Sequence, residues 1–155
     1  MSLRLTSRAF QNEGTIPEKY SKMGGNISPQ LSWTGLPEGT RSLVLIVDDP
    51  DAPGGEFVHW LVYGIPPDAT ELPEHLPRSA ARQGLNGFGE LGYGGPQPPS
   101  GTHHYVFHLY ALDTDSTLPP GMDRQELDGD IEGHVIEEAR LTGRYQHHSR
   151  AHATH

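Results

Sequence analysis

Apolar residues are concentrated in three long segments, at 42–47 (SLVLIV), 57–65 (FVHWLVYGI) and 104–112 (HYVFHLYAL). These segments are rich in β-branched and aromatic residues and are flanked by Gly and Pro, a pattern that favours strands over helices. The first two are almost continuously apolar, which is typical of strands covered on both faces. Shorter apolar segments at 4–7 and 31–33 predict additional short strands.

One segment near the carboxyl end has helical spacing instead. Its apolar residues recur at every fourth position: Leu127, Ile131, Val135 and Ala139. Glutamates lie between them, so the segment predicts one amphipathic helix, with Asp123 as a candidate N-cap and Gly143 as a candidate end. Gly129 and Gly133 weaken this helix by up to about 1 kcal/mol each relative to alanine.

Glycine and proline are abundant and spread along the chain, with 19 Gly and 14 Pro, which indicates many turns. Two long irregular segments, at 66–77 and 78–101, join the predicted strands, and we expect a functional role for 78–101. The pattern therefore predicts a mainly β fold with long Gly/Pro-rich loops and a C-terminal helix. One domain is expected over residues 1–146, followed by a disordered His-rich tail at 147–155.

Composition then narrows the classes of function. The 155 residues suit one domain with its own core. The 11 basic and 20 acidic residues give a net charge of −9, which argues against nucleic acid and anionic membranes as partners. The absence of cysteine excludes disulfides, thiolate catalysis and Cys-ligated metals. No segment reaches the roughly 20 apolar residues of a membrane span, and no signal-peptide pattern is visible, so a cytoplasmic protein without stable membrane insertion is expected.

Two segments match part of a known binding motif but lack other residues or elements that the motif requires. The segment 87–92 (GFGELG) matches GxGxxG, but the YGGP that follows cannot begin the helix that a dinucleotide site needs. The segment 113–124 begins like a calcium loop, but Leu118 and Arg124 stand where glycine and glutamate are required. The sequence contains no GxSxG element, so a hydrolase of that type has no nucleophile.

One constellation of polar residues remains. Asp49 and Asp51 follow the first long apolar segment, His59 lies inside the second, and His103 and Tyr105 lie at the start of the third. If the three strands are neighbours, carboxylate, imidazole and phenol converge at one end of a sheet. A carboxylate beside a bound anion is repulsive unless it shares a proton or accepts one from histidine.

The loop at 93–101 (YGGPQPPSG) adds backbone donors to this constellation. Gly94 and Gly95 permit a close approach of backbone N–H groups to a ligand, and successive amides form an anion nest. Imidazole and tyrosine also donate hydrogen bonds to phosphate oxygens. The combination predicts a small anion pocket with neutral donors, and we expect no catalytic residue, metal or cofactor.

Each candidate also has a simpler structural interpretation. Asp49 and Asp51 fit a Pro-rich turn with Asx hydrogen bonds, and His59 fits a core histidine with one backbone bond. A zinc site from His59, His103 and the two aspartates is compatible with the residue types. The sequence offers no HxH or HExxH spacing among them that would support a metal.

Strand alternation sorts the neighbours of the candidates. Adjacent residues of a strand face opposite sides, so Asp48 is expected outside the pocket. The same argument places His59 and Trp60 on opposite sides of their strand. His103 and Tyr105 share one face of their strand, and His104 between them faces the other side.

Three motifs resemble one known family. DPDAP (49–53), VHW (58–60) and YGGPQPPSGTHHYVF (93–107) are similar to motifs of the phosphatidylethanolamine-binding protein family. More narrowly, they resemble its bacterial Raf-kinase-inhibitor-like branch. The segments TIPEKY, GGNISPQLSW, ELPE and EEARLTGRY fit the same branch, and the resemblance covers roughly residues 3–146.

The resemblance implies a Greek-key β-sandwich with a terminal helix and a small cavity that binds phosphate-type anions, such as a phospholipid head group. The ligand-binding residues that it implies are Asp49, Asp51, His59, Gly94, Gly95, His103 and Tyr105. Gln97 lies where the loop length differs among members of the family. Met23 stands where this branch often has cysteine.

Three kinds of function are compatible with these features. The first is a non-enzymatic protein that binds a small anion such as phosphate or phosphoethanolamine. The second, implied by the resemblance, is inhibition of a partner kinase or protease through the loops around the pocket mouth. The third is an uncharacterised hydrolase or lyase with Asp49 and His59 as an acid–base pair. A homodimer would also fit the branch.

Overall fold

The computed structural model describes residues 2–147, so the predicted tail at 147–155 lies outside the described residues except for His147. Nine strands occur within residues 2–147: β1 (Arg4–Thr6), β2 (Gly14–Thr15), β3 (Leu31–Thr34), β4 (Ser42–Asp49), β5 (Phe57–Ile65), β6 (Glu71–Leu72), β7 (Arg82–Gln83), β8 (Thr102–Leu112) and β9 (Val135–Gln146). A 3-10 helix spans Glu18–Tyr20, and one α-helix, α1, spans Arg124–Ile131. Within the described residues, neither helix has the length and apolarity that crossing a membrane requires.

The strands form two sheets that enclose the main core. The larger sheet has the order β2-β9-β8-β4-β5-β7, and the smaller has the order β1-β3-β6. Trp33 of the smaller sheet belongs to the same buried cluster as Trp60 and Phe107 of the larger sheet. The mainly β sandwich expected from the sequence is therefore confirmed, and both tryptophans lie in the core as expected.

The other face of the larger sheet is covered by α1. Leu127 and Ile131 of the helix join a second buried cluster with Val44 of β4. All eight residues of β4 are buried, because alternate side chains enter one cluster or the other. This two-sided burial explains the nearly continuous apolar sequence of the strand.

The predicted C-terminal helix is confirmed, but it is shorter than the spacing indicated. Asp123 caps α1 as expected, since its side chain accepts a hydrogen bond from the Glu126 backbone N–H. The helix ends at Ile131, and Gly133 follows with a φ of 80°, a left-handed conformation typical of a helix end. The predicted end at Gly143 lies instead inside β9, which pairs antiparallel with β8.

The strand order brings the candidate residues together. β4 lies between β5 and β8 and is antiparallel to both, so its end meets the beginnings of β5 and β8. The long segment 78–101 contains β7 and an isolated bridge between Leu85 and Leu91. Its part after β7 leads to β8 and contributes residues to the site described next.

Candidate functional site

A small cavity lies where β4 ends and β5 and β8 begin. Its volume is about 190 Å³. The residues that line it are Asp49, Ala52, Pro53, Phe57, His59, Phe88, Gln97, Pro99, His103 and Tyr105. Four of the seven predicted ligand-binding residues therefore meet in one cavity, and they come from three neighbouring strands.

A β-bulge directs His59 into this cavity. Val47 pairs with Trp60, and Asp48 pairs with Val58, so His59 is an extra residue in β5. His59 lines the cavity while Trp60 packs in the main core on the same side of the sheet. The prediction that these two side chains face opposite sides is wrong, because a bulge interrupts the alternation of a strand and redirects its side chains.

Asp49 and His103 form a buried pair across neighbouring strands. Asp49 Oδ2 lies 2.6 Å from His103 Nδ1, and the two side chains are 5% and 9% exposed. A carboxylate accepts hydrogen bonds, so Nδ1 carries the proton of this bond. Asp49 Oδ1 also accepts from the Asp51 backbone N–H at 2.8 Å. Asp49 is thus both the residue that closes an Asx turn and part of the cavity wall.

His59 is fixed by two hydrogen bonds to Gly94. Its Nδ1 lies 2.6 Å from the Gly94 carbonyl oxygen, and the Gly94 N–H donates to the His59 carbonyl at 2.9 Å. A carbonyl oxygen only accepts, so Nδ1 carries the proton. Burial lowers the pKa of His59, although the Gly94 carbonyl and the charge of Asp49 partly oppose that change. The ring is therefore neutral near pH 7.

The Tyr105 hydroxyl is a buried polar group without a hydrogen-bond partner within residues 2–147. Tyr105 is only 1% exposed. Its ring packs edge-on against His59 with centroids 5.1 Å apart and is stacked with His103 at 6.5 Å. Burial, with a smaller effect of the Asp49 charge, raises the pKa of the Tyr105 phenol, so it keeps its proton.

The amides of Gly94 and Gly95 are already used within the fold. The Gly94 N–H bonds to β5 as described above, and the Gly95 N–H donates to Asn26 Oδ1 at 2.7 Å. The predicted nest of these two amides is therefore not open to a ligand, because both donors are occupied. Glycine is required for close packing instead. A Cβ atom would lie 2.6 Å from the Phe88 ring at position 94 and 2.1 Å from the Tyr20 carbonyl at position 95.

Asp51 lies outside the residues that line the cavity. Its Oδ2 accepts from the His104 backbone N–H at 2.7 Å and lies 2.8 Å from His104 Nδ1. The two hydrogen bonds from His104 lower the pKa of Asp51. The hydrogen bonds between Asp51 and His104 hold the turn after β4 against the start of β8. This turn places Ala52 and Pro53 in the cavity wall.

An aromatic wall was not expected from the sequence. The ring centroids of Phe57 and Phe88 are 4.9 Å apart, and Phe88 packs edge-on against His59 at 5.8 Å. The Lys22 ammonium lies 4.3 Å from the Phe88 centroid and is paired with Glu90. The sequence signal that could have indicated this wall is Phe88, an aromatic residue between two glycines. It lies in the segment 87–92, which was considered above as a nucleotide-binding motif.

The chemistry available in the cavity is that of neutral polar groups beside one carboxylate. No lysine, arginine, serine or threonine is among the described residues that line it. Asp49 is hydrogen-bonded to His103, and His59 is hydrogen-bonded to Gly94. Within residues 2–147, no group of three or more His, Asp or Glu is arranged to hold a metal ion.

A second polar cluster lies on the opposite face of the same strands. Asp48 Oδ1 lies 3.2 Å from His108 Nε2, and Asp48 Oδ2 lies 3.4 Å from Arg124. His108 Nδ1 lies 2.7 Å from Glu138. Burial opposes the charge of His108, but its hydrogen bonds to both carboxylates raise its pKa. Asp48 is therefore outside the cavity, as strand alternation predicted, and belongs to a structural ion-pair network.

Comparisons with known proteins cover nearly the whole chain. The family model for phosphatidylethanolamine-binding protein matches residues 6–146. The UPF0098 protein of Methanothermobacter thermautotrophicus is 48% identical over 149 residues, which cover 93% of this chain and 99% of that protein. A solved structure described as a phosphatidylethanolamine-binding protein (PEBP) homolog, CT736 of Chlamydia trachomatis, aligns with a TM-score of 0.89 at 41% identity, covering 95% of this chain and 99% of that one. YbcL of E. coli, described as a member of the mammalian PEBP family, aligns with a TM-score of 0.87 at 34% identity and covers 94% and 99%.

Proposed function

Because this chain belongs to the phosphatidylethanolamine-binding protein family, as its motifs predicted, we propose that its cavity binds a small phosphate-type anion. The ligand class is inorganic phosphate or a phosphate ester, such as the head-group fragment phosphoethanolamine. In this proposal the chain is a binding protein and not an enzyme. His59, His103 and Tyr105 contact the anion, and Asp49 orients His103.

The unpaired Tyr105 hydroxyl is the observation that carries this proposal. A buried hydroxyl without a partner is unfavourable by about 1–3 kcal/mol, and such groups in folded proteins call for an explanation. This hydroxyl belongs to a residue of the cavity wall, between two histidines whose Nδ1 atoms are held by other groups. An anion oxygen in the cavity would accept the Tyr105 hydrogen bond and relieve that penalty.

The size and lining of the cavity support a small ligand. Its volume of about 190 Å³ corresponds to several water molecules of about 30 Å³ each. That space suits a phosphate group with a short substituent. The rings of Phe57 and Phe88 border the cavity and offer apolar contact for the carbon atoms of an ester, as is common in small-molecule sites.

Calorimetric titration with inorganic phosphate, and then with phosphoethanolamine, tests the proposal. The informative variants are His103→Ala and its matched control His104→Ala. The two histidines are neighbours in β8, and each is bonded to an aspartate, but only His103 lines the cavity.

We expect saturable binding by the wild type and nearly unchanged affinity in His104→Ala. His103→Ala should bind at least about 10-fold more weakly, because a hydrogen bond to a charged group contributes about 1.5–3 kcal/mol. Thermal unfolding of both variants checks that the fold is intact. The absence of saturable binding in the wild type, or equal losses in the two variants, would contradict the proposal.

The other expectations from the sequence stay predictions. They are inhibition of a kinase or protease, a cytoplasmic location, homodimer formation, and the alternative of an acid–base hydrolase or lyase. The enzyme alternative requires turnover that disappears in Asp49→Asn. A panel of phosphate esters without turnover would exclude it for that class of substrate.

A further inference from the structure

The proton positions on the cavity histidines restrict the ligands that fit. His59 Nδ1 donates to the Gly94 carbonyl at 2.6 Å. The neutral imidazole has only one N–H, so Nε2 is then a hydrogen-bond acceptor. No described residue donates a hydrogen bond to this Nε2 atom. A ligand that approaches it must therefore bring a proton of its own or cause the ring to become charged.

Burial outweighs the neighbouring groups that favour a charged His59 ring, which include the Gly94 carbonyl and the carboxylates of Asp49 and Asp48. The titratable side chains that line the cavity with it are Asp49 of β4 and His103 and Tyr105 of β8, while the segment 84–99 contributes no charged side chain to the lining. The single carboxylate among them is already paired with His103. Burial lowers the pKa of His59 and so favours its neutral form.

The cavity therefore presents a fixed acceptor, the His59 Nε2 atom, next to a hydroxyl donor, Tyr105. The two residues line the same cavity, and their ring centroids are 5.1 Å apart, so one small ligand in the cavity can approach both. No lysine or arginine in the described lining is available to attract an anion that only accepts hydrogen bonds. A complementary ligand combines a charged oxygen with an O–H group.

We propose that the cavity selects the singly protonated form of phosphate or of a phosphate monoester over the sulfate analogue of the same shape. The P–O–H of the ligand donates to His59 Nε2, and a charged oxygen accepts from the Tyr105 hydroxyl. This inference rests on the proposed function, since it specifies the ligand of the same cavity. A phosphate monoester has its second ionisation near a pKa of about 6, so roughly a quarter of it carries the required proton at pH 6.5, whereas a sulfate ester is fully ionised.

Methyl phosphate and methyl sulfate are matched probes for this selectivity. Calorimetry at pH 6.5 should give at least about 10-fold weaker binding of methyl sulfate, because that ligand has no proton to donate to the His59 Nε2 acceptor. His59→Gln replaces the fixed acceptor by an amide that also donates, so it should reduce the ratio of the two dissociation constants. His104→Gln, on the opposite face of β8, should leave the ratio unchanged.

The outcomes separate the inference from the proposed function. If methyl phosphate and methyl sulfate bind wild type with equal affinity, the selectivity is refuted and the anion site stands. If neither ligand binds, the proposed function fails and the inference fails with it.

Should His59→Gln not fold, nitrogen-15 NMR of the imidazole in the methyl phosphate complex decides the point. We expect His59 Nε2 to remain unprotonated in that complex. A protonated Nε2 would show that the proton lies on the protein and would overturn the inference.

Discussion

Replacing Tyr105 by phenylalanine should stabilise the ligand-free protein and weaken its response to phosphate. The variant keeps the ring, which is 1% exposed and packs against His59, and removes only the unpaired hydroxyl. A buried polar group without a partner is unfavourable by about 1–3 kcal/mol. We therefore expect the free energy of unfolding to rise by about 1 kcal/mol, which corresponds to an increase in Tm of about 2–4 °C for a chain of this length.

The same substitution should weaken phosphate binding, so phosphate should stabilise the variant less than it stabilises the wild type. Ligand at 100 times its Kd stabilises the wild type by about 2.7 kcal/mol. Loss of a hydrogen bond to an anion weakens binding by about 10–150-fold. If Kd rises about 30-fold, the same phosphate concentration stabilises the variant by only about 0.9 kcal/mol.

The assay is thermal and urea unfolding of each protein with and without phosphate, and Tyr63→Phe is the matched control. Tyr63 is as fully buried, but its hydroxyl donates to the Pro119 carbonyl and accepts from the Met122 N–H. Its removal leaves partners unsatisfied, so this control should lose about 1–3 kcal/mol of stability. If Tyr105→Phe is destabilised to the same degree, or keeps the full phosphate response, the reasoning about the unpaired hydroxyl is refuted.

Three further changes test the framework around the site. The raised pKa of His108 means that its contribution to stability is complete below the unfolded pKa and is lost as pH rises through the folded value. Urea unfolding of wild type and His108→Gln should therefore differ more at pH 6 than at pH 8.5, and an equal difference would contradict this. Asp123→Ala removes the cap of α1 and should reduce the free energy of unfolding by about 1 kcal/mol, whereas an unchanged urea midpoint would oppose that role. Gly94→Ala should lower both Tm and phosphate affinity, because its Cβ would lie 2.6 Å from the Phe88 ring; a variant equal to wild type in both would contradict the packing argument.

Much of the fold was predictable because its strands are buried on two faces. Such strands have long apolar segments, and the chain marks their ends with Gly and Pro. The observed β4 and β5 lie where the pattern indicated. The convergence of Asp49, His59 and His103 followed from the assumption that the three strands are neighbours, and the observed pairings agree with it.

The extent of the C-terminal helix could not be predicted from a spacing of four. Residues four apart share a face in a helix and also in a strand, where the period is two. From Ala139 to Tyr145 the buried residues alternate with more exposed ones, which is the strand pattern. Gly133, in a left-handed backbone conformation, separates α1 from β9. The sequence shows that a glycine is present there but not which φ angle it adopts.

The orientation of His59 and the donors of the cavity could not be predicted, because they depend on features that leave no signal in the local sequence. The bulge at His59 arises from a register shift between β4 and β5, and register is a property of two strands. The amides of Gly94 and Gly95 are occupied by His59 and by Asn26, the latter 69 residues away along the chain. Residue types thus indicated an anion pocket, while its actual donors depend on contacts distant in sequence.

The most direct test of the anion site is a histidine-resolved NMR titration of the wild-type protein with inorganic phosphate at pH 6.5. We expect saturable shifts of the His59 and His103 ring signals. The exposed His104 and His134, which are hydrogen-bonded to aspartates outside the cavity, should show only small changes that do not saturate. If the cavity histidines do not shift, or if all histidines shift alike, phosphate does not bind in this cavity and the proposed anion site is wrong.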